Sequence, residues 1–203
     1  MSRPVTINPE AILATARKVF MKHGYGASTA LIAREAGVSE GSLFKHFKDK
    51  TSLFLAALEV EVGEPAWETK LLNSSGQGDP RAALEAAGRH ILKQLLIILP
   101  RMMMITSSGI TIPKHHRPGE LPPPLRKMQI IRDYFKKEVS AGRLVMESPE
   151  IQAHAFLGAL SHYAWCEAVF NYRSAPPEVY VKTVVNTLLK ATECSKSVRK
   201  HGI

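Results

Sequence analysis

The chain has 203 residues, 45% hydrophobic and 22% charged, a globular composition that excludes disordered and fibrous classes. Its formal charge of +9 admits anionic partners, yet residues 1–62 hold eight basic against six acidic residues, so the excess lies mainly beyond them. No apolar run, Leu95 to Leu99 included, is long enough for a bilayer span, no apolar leader follows Met1, and the two cysteines, Cys166 and Cys194, make no disulfide framework; a cytoplasmic protein with no membrane contact is expected.

Asn8-Pro9-Glu10 opens the first helix with a capping side chain, a proline suited to the first turn and an acid that complements the helix dipole. Ile12, Leu13, Ala16, Val19 and Phe20 form its apolar stripe, and His23-Gly24 ends it. A second short helix follows Ser28 or Thr29, turns Ile32, Ala33 and Ala36 inward and stops at Gly37. Ser39 caps a third, carrying Leu43, Phe44 and Phe47; Asp49 caps a fourth, carrying Leu53, Phe54, Ala57 and Leu58 up to Gly63.

Longer helices follow. Asp79-Pro80 starts one that reaches Leu99, Pro124 one that reaches Gly142, Ser148-Pro149-Glu150 one to the region of Tyr172, and Pro176-Pro177-Glu178 one to the region of Glu193. The stretch from Thr106 to Pro124 holds five of the thirteen prolines and reads as an irregular segment or a lid. No alternating strand pattern occurs. The expected fold is all-α, about nine helices, divided into residues 1–63 and 64–203.

Residues 28–47, STALIAREAGVSEGSLFKHF, have the grammar of a helix-turn-helix. Ala33 is small where two helices cross, Gly37 accepts the positive φ of a tight turn, and Val38 and Leu43 point back to the core. The second helix is thereby held outward, its N-terminal residues free to enter a major groove.

From Ile12 to Leu58 the sequence resembles the TetR family of transcriptional regulators. The resemblance rests on Gly24-Tyr25, Ile32-Ala33, Ala36-Gly37-Val38-Ser39, Gly41-Ser42-Leu43-Phe44, His46-Phe47 and Lys50. It implies sequence-specific binding to double-stranded DNA, a homodimer on a near-palindromic operator, and a repressor released by a small, largely apolar effector. Ser28 and Thr29 at a helix N-terminus suit phosphate oxygens. Glu40, Gly41, Ser42 and Lys45 face the groove, Lys45 being the candidate base contact. His46 and Lys48 lie at its edge, and Lys50 matches the family's phosphate-binding lysine. Phe44 stands where the family often has tyrosine, so that position supplies packing and no hydroxyl.

The family dimerises through its last two long helices. Here Ala155, Gly158, Ala159 and Cys166 place small side chains along one side of the penultimate helix, and the last helix offers Val181, Val184, Val185 and Leu188. The same stripes serve equally well as core. Trp67, Met102, Met103, Met104, Phe135 and Trp165 are the candidate pocket residues, also readable as core, and Arg101 and Arg132 the candidate partners of an anionic ligand.

His162 and Cys166 are four apart on one helical face, but two ligands do not make a metal site. His115-His116 lies in the proline-rich stretch, where solvated histidines are the rule. With no phosphate-binding loop, nucleophile elbow or metalloprotease motif, neither a cofactor nor enzymatic activity is expected. The alternative is a small-molecule-binding or protein-interaction protein whose helix-turn-helix is only structural.

Overall fold

The computed structural model describes residues 8–58, 66–110 and 123–200, the side chains of 123 and 191–200 excepted. The described residues form nine α-helices and no strand. They are α1 (Pro9–His23), α2 (Thr29–Glu35), α3 (Glu40–His46), α4 (Lys50–Leu58), α5 (Ala66–Asn73), α6 (Pro80–Ser107), α7 (Pro123–Ser140), α8 (Pro149–Phe170) and α9 (Pro177–Lys200). The chain divides into two compact units, Met1–Glu61 with Pro100–Pro113, and Val62–Leu99 with Lys114–Ile203.

Local chemistry sets the early boundaries. The Asn8 side chain accepts from the Glu10 amide at 2.9 Å, Ser28 Oγ from Leu31 at 3.2 Å and Ser39 Oγ from Ser42 at 3.1 Å. Before α4 the bonds are reciprocal: the Ser52 amide donates to Asp49 Oδ1 at 2.7 Å and the Asp49 amide to Ser52 Oγ at 3.0 Å. Hydrogen bonds from the Ser52 amide and side chain hold the Asp49 carboxyl below its ordinary pKa. Gly37 follows α2 at φ +69°, a conformation that a Cβ would strain.

The first unit closes around Ile12, Ala16, Phe20, Ile32, Leu43, Leu53 and Phe54. Phe54 receives Phe20 edge-on, with ring centroids 4.9 Å apart, and Tyr25 at 4.8 Å. Arg17 on α1 donates through Nε to the Ala57 carbonyl at 2.6 Å, tying α1 to α4.

Three boundaries depart from the sequence reading. α5 had no expectation of its own, because an eight-residue helix burying only Trp67 and Leu71 is too short to display a period. α6 does not stop at Leu99 but continues through Pro100 to Ser107. Proline forfeits one backbone donor, and burial of Ile105 in the first unit's core offsets that loss. α9 runs beyond Glu193 to Lys200. The expected end of the fourth helix at Gly63, His115-His116 and residues 111–122 of the proline-rich stretch lie outside the described residues.

In the second unit Leu84, Ile91, Ile131, Tyr134, Phe135, Phe156, Leu160, Val181 and Val185 form the core. Gly88 lets α6 approach α8 and α9 closely: a Cβ there would stand 2.8 Å from Val181 Cγ1 and 3.2 Å from the Phe156 ring. Val181 and Val185 are therefore corrected from seam to core, since both are completely enclosed within their own chain. Val184 and Leu188 are partly buried and pack against the same core.

Candidate functional site

α2 and α3 present the helix-turn-helix as the sequence spaces it. Leu43 is fully buried and anchors α3, while Phe44, Lys45 and His46 after it are exposed, as are Gly41 and, beyond the helix, Lys48. The exposed side therefore carries cations and one uncovered aromatic ring. α3 has seven residues, so its direction is set by the core contacts of Leu43 rather than by helix length.

Several candidate residues have intramolecular partners. Ser28 and Ser39 spend their hydroxyls on capping, and Ser42 Oγ lies 2.8 Å from Ser39 Oγ. Thr29 Oγ1 donates to Glu40 Oε1, a tie between α2 and α3. Glu40 thus has a structural partner that its sequence position did not announce. The Lys50 ammonium sits 4.7 Å from the centroid of the Tyr25 ring, and the Tyr25 hydroxyl lies 2.9 Å from Thr51 Oγ1. Of the candidate basic residues, Lys45, His46 and Lys48 are exposed.

The second unit contains a half-open cavity of about 300 Å³. α5 lines it with Ala66, Trp67, Lys70 and Leu71, α6 with Ala83, Ala86, Ala87 and His90, and Ser74 completes the wall. Trp67 and His90 stack with centroids 6.1 Å apart at 27°. His90 Nε2 is buried and has no hydrogen-bond partner. Burial lowers the His90 pKa, and Lys127 and Lys93 lower it further. Lys127 itself donates to Gln94 Oε1 at 2.9 Å; burial lowers its pKa and Glu68 opposes that shift.

Of the six expected pocket residues, Trp67 alone lines this cavity. Phe135 is fully buried in the core. Met102, Met103 and Met104 follow Pro100 and belong to the first unit, the first two exposed and the third packed on that unit's core. Trp165 is exposed on α8. Arg132 is engaged by Asp133 at 2.8 Å and Glu150 at 3.6 Å, and Arg101 belongs to the first unit. Sequence reasoning missed His90 and Lys127, 37 positions apart and brought together only by packing.

Along α8, Ala155 and Gly158 are exposed and Ala159 and Cys166 half-buried. Exposed Trp165 stacks on His162 at 6.0 Å and meets Phe170 edge-on at 5.0 Å, so this surface combines small residues with uncovered aromatic rings. His162 Nε2 lies 3.5 Å from Cys166 Sγ, and among the described residues no third metal-ligating side chain joins them. No helix among the described residues is long and apolar enough to cross a membrane.

Residues 12–57 match the family described as bacterial regulatory proteins, tetR family, and residues 97–192 match the AefR-like transcriptional repressor C-terminal domain. The two matches together span well over half of the chain. The protein belongs to the TetR family of transcriptional regulators.

Among its relatives, the HTH-type transcriptional regulator QacR of Staphylococcus aureus is 40% identical over 60 residues, covering 29% of this chain and 31% of that protein. The HTH-type transcriptional repressor AcnR of Corynebacterium efficiens is 46% identical over 65 residues, 32% of this chain and 34% of that one. This TetR-family chain thus aligns with about a third of the length of each. SmeT, the repressor of the Stenotrophomonas maltophilia multidrug efflux pump SmeDEF, shares the fold over 92% of this chain and 90% of its own, with a TM-score of 0.55 and 19% sequence identity.

Proposed function

We propose that this TetR-family protein is a cytoplasmic, homodimeric transcriptional repressor. It binds a near-palindromic operator in double-stranded DNA and leaves it when a small, largely apolar effector binds the second unit. Residues 1–63 form the DNA-binding domain and residues 64–203 the effector and dimerisation domain, apart from Pro100–Pro113, which belong to the first unit; no catalytic role is assigned to either. The carrying observation is α3, anchored by buried Leu43 and bearing exposed Phe44, Lys45 and His46.

In this reading Lys45, with Gly41 and Ser42, reads base edges, while Lys48, Lys50, His46 and the N-terminus of α2 at Ser28 and Thr29 meet phosphates. The exposed side of α8 with Ala155, Gly158, Ala159, Cys166 and Trp165, joined by Val184 and Leu188 of α9, pairs with a second copy. Two recognition helices then enter successive major grooves about 34–36 Å apart. The effector acts only through a difference in its affinity for the bound and released states.

Selection of bound sequences from random duplex DNA by the purified protein tests this. A two-fold symmetric consensus supports it. Binding without sequence preference, or none, leaves the helix-turn-helix as a purely structural element and overturns the reading.

A further inference from the structure

Leu43 is fully buried, whereas the ring of Phe44 beside it is 41% exposed. The other aromatic rings of the first unit are covered: Phe20 and Tyr25 meet Phe54 edge-on, and Phe47 packs against the same core. Leu43 anchors α3, so the fold does not account for an aromatic ring at position 44. Helical geometry groups that ring with two other exposed positions. Gly41, Phe44 and Lys45 fall within an arc of about 100° that begins at Phe44 and passes opposite Leu43. Gly41 has ordinary helical backbone, and a Cβ built there would meet only Ser39 Oγ, at 3.9 Å. Its missing side chain leaves open space one turn before Phe44, where another backbone or a base edge can come close. A phenyl ring has no hydrogen-bonding atom, so Phe44 offers nothing to a phosphate oxygen. The one apolar group that base pairs present in the major groove is the C5-methyl of thymine.

We propose that Phe44 is a specificity-determining residue that reads thymine, its ring against the C5-methyl group, at one symmetric position of the operator. The inference rests on α3 as the recognition helix and names the base that its apolar edge selects. Selection comes from burying a methyl group against an uncovered ring, a term that a base without the methyl forfeits.

Binding titrations of the full chain on its selected operator test it, with each symmetric pair of thymines replaced in turn by deoxyuridine, which lacks only the methyl group. At one pair the replacement is expected to weaken binding about fourfold per half-site, the scale of one methyl group withdrawn from water. Phe44→Ala should bind the thymine and deoxyuridine duplexes equally; Phe44→Gln, polar at an exposed helical site, should do the same if the alanine variant folds poorly. Phe44→Tyr, which keeps the ring, should keep the difference. At the same position 5-methylcytosine should bind the unaltered protein more tightly than cytosine. A selected operator without thymine in its half-site, no loss at any deoxyuridine pair, or a loss that persists without the Phe44 ring overturns the inference and leaves operator binding standing. Failure to select any operator overturns both readings, so the two failures are distinguishable.

Discussion

Arg143 closes on the fully buried carboxylate of Glu138, its Nε donating to Oε2 at 2.6 Å. The same carboxylate accepts from the Gly76 amide at 3.0 Å, and Arg143 Nη1 donates to the Gly78 carbonyl at 2.8 Å, so the turn after α5 is fastened to the end of α7. Glu138 also raises the pKa of Tyr134, whose hydroxyl is buried beside it, though burial is the larger cause. Glu138→Ala should destabilise the protein by about 3 kcal/mol, the low end for a broken buried pair because Arg143 retains some access to water. Urea denaturation measures the loss. A change no larger than that of an exposed control would mean that the carboxylate contributes little.

Gly88 separates two opposing effects. Alanine at a helix interior is favoured over glycine by about 1 kcal/mol, whereas overpacking costs about 1–3 kcal/mol. With Val181 Cγ1 only 2.8 Å from the new Cβ, and valine stiff at χ1, overpacking should dominate and Gly88→Ala should lower the denaturation midpoint. Combining it with Val181→Ala should cost less than the two changes summed. Additive losses would show that α6 moves aside without the valine's help.

The sign for His90 follows from its lowered pKa. Burial first, then Lys127 and Lys93, disfavour its charged form in the folded protein relative to the ordinary value of 6.5. As pH falls below 6.5 the unfolded chain takes up that proton first. The stability associated with neutral His90 is thus present above 6.5 and declines toward its folded-state pKa. Denaturation at about pH 7.5 and about pH 5.5 should show a smaller decline in His90→Phe than in the unaltered protein. Equal declines would assign the pH dependence to other groups.

Lys45 and Lys50 should separate by the kind of binding each loses. Lys45→Ala should relax preference at one symmetric operator position, by about 1–3 kcal/mol. Lys50→Ala should weaken all sequences alike and reduce the salt slope by about one per protomer. Because the Lys50 ammonium already lies over Tyr25, the cation–π contact would hold it ready for a phosphate. Binding titrations across a salt series distinguish the cases, and an unchanged slope would confine Lys50 to its contact with Tyr25.

The first unit was legible because its signals are local. Asn8, Ser28, Ser39 and Asp49 each close a bond within four residues, and Gly37 takes the φ that its turn demands, so residue order alone determined those boundaries. Tertiary structure decided the second unit. α6 crosses Pro100 because Ile105 has a core to enter, which assigns Met102, Met103 and Met104 to the first unit. Val181 and Val185 became core because Gly88 admits α9 beside α6, a closeness that no helical period encodes. His90 and Lys127 carry no motif, and only the packing of α6 with α7 makes their charges interact, since burial and charge proximity belong to the folded chain alone.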